Sequence, residues 1–288
     1  MPSLREVRNR IAGVKKTQKI TRAMKMVAAA KLRRSQTAVV NARPYADTMK
    51  RLLQDLVARV PEGRGPLLTP RPVERVTLVV VTADRGLCGA FNTNLIKAAA
   101  AHLREHYPGW AEDGRARIMC VGKKGVDFFG KRKFTLAGKV IGIYSDLKFA
   151  RAQNIARGLV ESYLKGETDR VEVVYNEFKS VAQQRIVVDQ FLPVAATGPE
   201  KGVGEYIFEP SKEEILKSLV PRHLDFQIWR ILLESNASEQ GARMTAMENA
   251  TENASDMIRT LQLQYNKARQ ASITKELLEI VSGAEALA

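Results

Sequence analysis

The C-terminal part of the chain carries apolar residues at spacings of three and four over an unusually long distance. From Leu224 to Val281 the pattern contains no proline and a single glycine, Gly241. Such spacing is typical of an amphipathic helix, and nothing inside the segment compels a stop. We therefore predict one helix of about 55 residues, on the order of 80 Å long at about 1.5 Å per residue. The apolar stripe of such a helix needs a partner.

The N-terminal segment is the candidate partner. Residues 3–60 repeat the three-four spacing, and Pro44 is expected to bend or locally unwind a helix there. Both stripes carry small alanines in their middles, which favours a close antiparallel pairing of the two terminal helices as a coiled coil. Gln18, Thr21 and Lys25 interrupt the first stripe. These polar positions predict that self-pairing is incomplete and that another molecule encloses more of the surface.

The middle of the chain alternates strand-like and helix-like segments. The run at 75–82, RVTLVVVT, is typical of a strand buried on both faces. The alternation predicts an inserted Rossmann-like α/β domain with a mostly parallel sheet, so the fold class is α/β plus long helices. The last two strands are expected to pair as a hairpin. Strands are predicted at 75–82, 116–121, 134–143, 170–178 and 185–191, and helices at 92–106, 126–129 and 147–164.

Composition changes give the expected domain boundaries. A segment rich in proline and glycine follows the first helix and is predicted to be a linker. The predicted division is an N-terminal shaft helix at 1–60, a linker at 61–74, the Rossmann-like domain at 75–200, a connecting segment at 201–220 and a C-terminal shaft helix at 221–288. The shaft is therefore discontinuous in sequence.

Charge is concentrated on the first helix. The chain has a net charge of +15, and residues 1–60 hold 15 Lys and Arg against Glu6, Asp47 and Asp55, a net of +12. Such a helix usually faces an acidic partner, which can be nucleic acid, an anionic membrane or an acidic protein. An ordinary basic run is more often a solvated surface, but twelve net charges on one helix weaken that interpretation, because their self-repulsion is a cost. Two cysteines and no signal-like or membrane-spanning segment favour a cytoplasmic protein.

The candidate chemistry of the middle domain is weak. The first strand-to-helix turn, 82–90, lacks the dinucleotide-binding glycine spacing and a phosphate-loop lysine. Asp84 or Arg85 could bind a ligand there, but tight-turn glycines are the simpler interpretation. Cys88 has no histidine base at a readable spacing and is expected to be a buried thiol. No cofactor or metal is expected, and an enzyme built on this chain alone is poorly supported.

Four segments of the chain resemble a known protein family. Residues 11–36 (IAGVKKTQKITRAMKMVAAAKLRRSQ), 84–92 (DRGLCGAFN), 237–254 (ASEQGARMTAMENATENA) and 261–287 (LQLQYNKARQASITKELLEIVSGAEAL) resemble the gamma subunits of F-type ATP synthases. The resemblance implies a non-catalytic central shaft that couples proton-driven rotation of a c-ring to ATP synthesis or hydrolysis. It implies alpha, beta and epsilon subunits and the c-ring as partners. It also implies a peripheral place on the cytoplasmic face of a bacterial inner membrane, with membrane association only through the complex.

The same resemblance implies contact residues. Contacts with beta subunits are expected at Arg22, Met24, Lys25, Lys31, Arg33, Arg34, Arg269, Gln270, Thr274 and Glu276. An apolar bearing is expected at Leu277, Leu278, Ile280 and Val281. A foot that meets the c-ring and the epsilon subunit is expected at Tyr206, Phe208 and Glu209.

Two alternatives remain from the residues alone. A basic coiled-coil protein that binds nucleic acid would explain the charge of the first helix, but that helix offers little aromatic interleaving for stacking. An independent α/β enzyme with helical arms would need a ligand at residues 84–89. With the gamma-type resemblance, no nucleic-acid partner is expected.

Overall fold

The structure is a computed structural model that describes residues 3–59, 65–132, 134–181, 183–195, 209 and 211–285. Long helices form both ends of this described chain, and strands and shorter helices alternate between them. The α-helices are α1 (Leu4–Arg59), α2 (Phe91–His106), α3 (Lys123–Phe129), α4 (Phe149–Leu164) and α5 (Lys212–Glu285). The strands are β1 (Val76–Val81), β2 (Ala116–Val121), β3 (Thr135–Val140), β4 (Arg170–Phe178) and β5 (Gln184–Leu192). A short 3₁₀ helix covers Ile143–Ser145.

The chain divides into two compact units. Residues up to Ala28 and from Met244 onward form the first, which we call the paired-helix unit. Residues Ala29–Arg243 form the second, the sheet unit. Both α1 and α5 contribute residues to each unit, so each unit is described by itself below.

The sheet unit is built on one five-stranded sheet with the strand order β3-β2-β1-β4-β5. The first four strands run parallel, and β5 pairs antiparallel with β4. The α/β class, the mostly parallel sheet and the final hairpin were predicted and are confirmed. β1 is central and buried at all six positions, as its run of β-branched residues indicated, whereas the edge strand β3 alternates between exposed and half-buried positions.

Two apolar layers cover the faces of the sheet, and β1 supplies both because successive side chains point to opposite faces. Val76, Leu78 and Val80 pack in a layer with buried residues of α2 and α3. Val79 and Val81 pack in the other layer, with α4, the end of α1 and the first turns of α5. The two terminal helices are therefore part of the core of the sheet unit.

The helix α5 begins earlier than the sequence indicated. Its predicted start lay after Pro221, yet the helix runs from Lys212 through that proline. Leu216, Val220 and Leu224 are all buried in one apolar cluster, so their packing holds the helix on both sides of the proline. Pro221 is exposed, and the carbonyl four residues earlier belongs to exposed Lys217, where water can replace the lost hydrogen bond. Core burial therefore outweighs the local cost of the proline.

The helix α1 also continues through a proline. Its helical assignment is unbroken across Pro44, where the sequence predicted a bend or a local unwinding. Pro44 is exposed, while Ala42, Met49 and Leu53 on the same helix are buried. The apolar stripe again sustains the helix, and the expected local unwinding does not occur.

In the paired-helix unit the two helices run antiparallel. Thr21 lies opposite Thr251, and residues later in α1 lie opposite residues earlier in α5. The apolar side chains buried in this unit come from both helices: Val7, Ala28, Met247, Ala254, Ile258 and Leu261. The predicted antiparallel coiled coil is therefore confirmed for this unit. Among the described helices, none contains a stretch both long and apolar enough to cross a membrane.

Candidate functional site

Polar pairs bridge the two helices of the paired-helix unit. They are Gln18 Nε2 to Ser255 Oγ at 2.7 Å, Thr21 Oγ1 to Thr251 Oγ1 at 2.8 Å, and an ion pair of Lys25 with Glu248. The three α1 members of these pairs are the residues that appeared to interrupt the apolar stripe. Each meets a polar side chain at the matching position of α5, so the expectation that self-pairing leaves them unsatisfied is wrong. The pairs also fix a helix register that sequence alone left open.

A groove beside these pairs brings together two of the residues predicted to contact beta subunits. Arg22 and Lys25 line it from α1, and Glu248 and Glu252 line it from α5. Lys25 is half-buried and paired, whereas Arg22 is exposed. The basic face of α1 is therefore partly neutralised within the chain at this level, and Arg22 is the cation of the two that faces outward.

The other basic residues predicted on α1 lie in the sheet unit. Lys31, Arg33 and Arg34 are all exposed, and no carboxylate among the described residues forms an ion pair with them. Lys31 is near enough to the buried Glu239 carboxyl to favour its charged form. Met24, predicted at the same contact, is half-buried in the paired-helix unit.

The predicted residues near the end of α5 are all exposed. Arg269, Gln270, Thr274 and Glu276 face solvent, and the Thr274 hydroxyl donates to the Gln270 carbonyl within the helix. Four large apolar side chains follow. Leu277, Leu278, Ile280 and Val281 are 57%, 62%, 68% and 54% exposed. A run of exposed apolar side chains of this size marks a surface that another molecule covers.

Only one residue of the predicted foot is described. Tyr206 and Phe208 lie outside the described residues, and Glu209 is exposed. The predicted foot therefore stays a prediction.

At the sheet turns, Asp84 has a structural role. Its carboxylate accepts hydrogen bonds from the backbone N–H groups of Lys123 at 3.1 Å and Gly142 at 2.9 Å, so it ties together the turns that follow β1, β2 and β3. Gly122 has a φ of +96°, and a Cβ there would lie 2.0 Å from the Thr82 carbonyl oxygen. Tight-turn glycines were the simpler interpretation of residues 82–90, and Gly89, with a φ of +58°, agrees with it.

Helix α5 lies across the carboxyl ends of β1 and β4, where the strand order reverses and where doubly wound folds bind their ligands. The Ser238 hydroxyl donates to the carbonyl of Asn176 at the end of β4. Arg243 donates to the carbonyl of Gly86, at 2.6 Å, and forms an ion pair with the buried Glu239. Burial raises the pKa of Glu239, and the Arg243 guanidinium opposes that rise. The ligand crevice of the fold is thus packed with α5.

Both thiols are buried, as expected for Cys88. Burial raises the pKa of Cys88 and raises that of Cys120 to about 12, so neither is a thiolate at neutral pH. Within the described residues there is also no cluster of three or more side chains suited to hold a metal ion.

Sequence reasoning missed the α5 partners of these contacts. Glu248, Thr251 and Ser255 carry the cross-helix bonds, and Ser238 and Arg243 carry the contacts to the sheet turns. The available signal was the antiparallel spacing: polar residues at 18, 21 and 25 match polar residues at 255, 251 and 248 once one pair is aligned. Nothing in the sequence marked the crevice contacts.

Comparisons with known proteins agree with this architecture. A family model described as ATP synthase matches residues 3–287. The ATP synthase gamma chain of Chlorobaculum parvum is 50% identical over 290 residues, covering 100% of this chain and 99% of that one. The ATP synthase gamma chain of Pelodictyon phaeoclathratiforme is 51% identical over 289 residues, with the same coverage.

Solved structures show a related fold. A chain of the central stalk and c-ring of the Tetrahymena thermophila mitochondrial ATP synthase is 25% identical with a TM-score of 0.62, covering 80% of this chain and 99% of that one. A chain from the Euglena gracilis mitochondrial ATP synthase is 24% identical with a TM-score of 0.69, covering 99% and 94%. No comparison supports the nucleic-acid alternative. Because the family model and the curated relatives span almost the entire sequence, the chain belongs to the family of ATP synthase gamma chains, the non-catalytic rotor subunits of that complex.

Proposed function

We propose that this chain is the rotor shaft that couples proton-driven rotation of a c-ring to ATP synthesis or hydrolysis in a ring of alpha and beta subunits. The observation that carries the proposal is the exposed apolar end of α5, at Leu277, Leu278, Ile280 and Val281. Four exposed polar residues precede it: Arg269, Gln270, Thr274 and Glu276. A free apolar helix end is unfavourable in water unless a partner encloses it. The surrounding ring is that partner.

The end of α5 acts as a bearing. Leu277, Leu278, Ile280 and Val281 present aliphatic groups without charge or hydrogen-bonding atoms, so their contact with an apolar collar depends little on angle. Arg269, Gln270, Thr274 and Glu276 lie before them and make polar contacts with beta-subunit loops. A rotor that meets equivalent subunits in turn requires such angular tolerance.

The basic residues of α1 transmit force to the beta subunits by charge. Lys31, Arg33 and Arg34 are exposed, and Arg22 faces outward beside the Lys25–Glu248 pair. Attraction between these cations and an acidic beta-subunit loop acts over several ångströms and tolerates rotation better than interlocking apolar contacts. Met24 lies between them in sequence and contacts the same loop. Each shaft orientation then favours one beta-subunit conformation, which links rotation to nucleotide affinity.

The foot and the location of the complex belong to the same proposal. Glu209, together with Tyr206 and Phe208 in the same segment, meets the c-ring and the epsilon subunit. The Rossmann-like segment 75–200 forms the body of the foot, the segments 1–60 and 221–288 form the shaft, and 61–74 and 201–220 connect them. The protein then lies on the cytoplasmic face of a bacterial inner membrane, held there only through the complex.

Reconstitution tests the proposal. The full chain is mixed with alpha and beta subunits of the same organism, and MgATP hydrolysis is measured with the chain, without it and with the chain alone. We expect no turnover from the chain alone and sustained turnover when one copy joins three alpha-beta pairs. Failure to assemble or to change turnover would reject the rotor role, and salt-dependent nucleic-acid binding would then be the hypothesis to test.

Charge-neutralising variants test the contact surface. The triple variant Lys31→Gln/Arg33→Gln/Arg34→Gln is compared with Arg5→Gln/Arg8→Gln/Arg10→Gln, which removes three exposed charges from the same helix. Loss of three attractions of about 0.5 kcal/mol each predicts a roughly tenfold lower turnover or assembly for the first variant, with little change for the second. Equal losses in both variants would show that only the total charge of α1 matters.

A further inference from the structure

A cavity of about 260 Å³ lies in the sheet unit, away from the contact residues discussed above. Its walls come from α1 at residues 46–57, from β5 and the residues after it at 189–195, and from α5 at 223–230. The buried side chains of Leu53, Val57 and Phe191 form an apolar part of the lining. Charged, uncharged polar and further apolar side chains form the rest.

Three basic side chains line this cavity: Lys50 from α1, and His223 and Arg230 from α5. Arg230 is half-buried and always charged, because a guanidinium keeps its proton at any ordinary pH. None of the described residues accepts a hydrogen bond from this guanidinium or forms an ion pair with it. A half-buried guanidinium with five unused donors is well suited to an oxyanion.

The two carboxylates in the same lining keep their negative charge, but neither forms an ion pair with Arg230. The Asp189 carboxylate accepts a hydrogen bond from the Tyr175 hydroxyl at 3.0 Å. Asp47 is exposed, as is Lys50 one turn away, so both belong to the outer part of the lining. The buried Glu234, one turn along α5, also interacts with Arg230 by charge, so the positive field is that felt at His223, where the charges of Arg230 and Lys50 act together.

His223 reports the sign of the local field. Burial, the Arg230 guanidinium and the Lys50 ammonium together lower the pKa of His223 to about 4. Both charges that act on the ring are positive. The imidazole is therefore neutral at pH 7 and can donate one hydrogen bond to a bound anion.

We propose that the cavity between α1, β5 and α5 is a binding site for a small oxyanion of the phosphate or carboxylate class, held by Arg230, Lys50 and His223. The guanidinium binds two oxygens of the anion, Lys50 supplies a second charge, and His223 donates a single hydrogen bond. A volume of about 260 Å³ accommodates such an anion with several waters, since a water takes about 30 Å³ of liquid volume. This site is independent of the rotor function.

The test uses the full chain and nuclear magnetic resonance of its histidine rings. The sequence has only three histidines, His102, His106 and His223, so the resonances are readily assigned. Sulfate, inorganic phosphate and succinate are titrated separately against sodium chloride of equal ionic strength. We expect saturable shifts of the His223 resonance with the oxyanions and no such shift with chloride. Sulfate keeps its double charge throughout, so it also serves for a pH titration, in which it should raise the pKa of His223.

Matched variants locate the site. Arg230→Gln should weaken sulfate binding about tenfold or more, because a hydrogen bond to a charged group contributes about 1.5–3 kcal/mol. Arg222→Gln, on the same helix, exposed and outside the lining, should change it less than about twofold. Lys50→Gln should weaken binding by about threefold and leave the fold intact because Lys50 is exposed, with Arg51→Gln as its control.

The anions that saturate the site identify the class of ligand. Saturation by phosphate and sulfate but not by succinate assigns the phosphate class, and the reverse assigns the carboxylate class. The proposal is overturned if no oxyanion shifts the His223 resonance. It is equally overturned if Lys50→Gln and Arg51→Gln weaken binding to the same extent, since binding would then follow the total positive charge. Rotor activity in the reconstituted complex is not part of this readout, so failure here leaves the proposed function standing.

Discussion

The two compact units use different means to hold α1 and α5. In the sheet unit, large aliphatic side chains such as Leu224, Ile228 and Ile231 are almost fully buried within a shared core that also covers a sheet face. In the paired-helix unit, alanines are buried beside apolar side chains such as Ile258 and Leu261, and hydrogen bonds and an ion pair also join the helices. The kind of side chain that α1 and α5 use for packing therefore changes along each helix, according to the element that it packs against.

This difference in packing indicates how stability and function are divided between the two units. Burial of large apolar groups contributes most to the free energy of unfolding, whereas cross-helix polar pairs contribute register and specificity more than free energy. The end of α5 goes further, because its large apolar groups are exposed in the isolated chain. The sheet unit is expected to be the stable part, and the paired-helix unit the part that depends on partners.

The largest expected difference in the free energy of unfolding is between substitutions at two glycines. In Gly122→Ala the new methyl group would meet the Thr82 carbonyl oxygen at a φ unsuited to side chains, so we expect a loss of about 4 kcal/mol or more in the free energy of unfolding. Gly13→Ala, in the helical part of the paired-helix unit, meets nothing within 4 Å and should gain about 0.5–1 kcal/mol. Urea denaturation followed by circular dichroism measures both. A harmless Gly122→Ala would mean that the turns are looser than described.

The next contrast compares two leucines of α5. Leu224 is fully buried, so Leu224→Ala should lower the free energy of unfolding by about 3 kcal/mol through lost burial and a residual cavity. Leu277→Ala removes an exposed side chain and should change it by less than about 0.5 kcal/mol. Denaturation followed by fluorescence of Trp110 and Trp229, both in the sheet unit, reports the first, and circular dichroism reports both. Equal losses would show that the end of α5 packs within the isolated chain.

A double-mutant cycle addresses the central hydroxyl pair of the paired-helix unit. Thr21→Val and Thr251→Val each remove one partner of the 2.8 Å contact and should each cost about 1 kcal/mol. The double variant should cost less than the sum by about 0.5 kcal/mol or more, because both single variants remove the same cross-helix contact. Thermal unfolding followed by circular dichroism measures the coupling. Strict additivity would show that the two hydroxyls do not interact.

The smallest expected effect concerns the ion pair of the same unit. Lys25 and Glu248 are both more than one-third exposed, so solvent screens their attraction, and a cycle with Lys25→Gln and Glu248→Gln should give a coupling of about 0.5 kcal/mol or less. That coupling should fall further as the salt concentration rises. The more exposed Lys275–Glu279 pair provides the control and should show almost no coupling. A large coupling that resists salt would place the Lys25–Glu248 pair in a drier environment than its exposure indicates.

Much of the fold follows from local pattern. The β-branched run of β1, the strand bounds of β2 and β4, and the apolar stripes of both long helices are visible in the sequence, because strand and helix periodicities differ. The start of α5 was misplaced because proline is a local signal, while the burial of Leu216 and Val220 that overrides it is not local. The predicted contact residues of the rotor remain a proposal, with the exposed end of α5 as their strongest support.

The sequence by itself determined the element types, the family and the excess of positive charge on α1, since all of these depend on residue identity and spacing. The tertiary structure decided which polar residues meet. It paired Lys25 with Glu248 across more than 200 positions, bound Asp84 to two distant turns, packed α5 into the ligand crevice of the sheet and left Arg230 beside an open cavity. A hydrogen bond or an ion pair requires its atoms within a few ångströms, and only the folded path of the chain sets that distance.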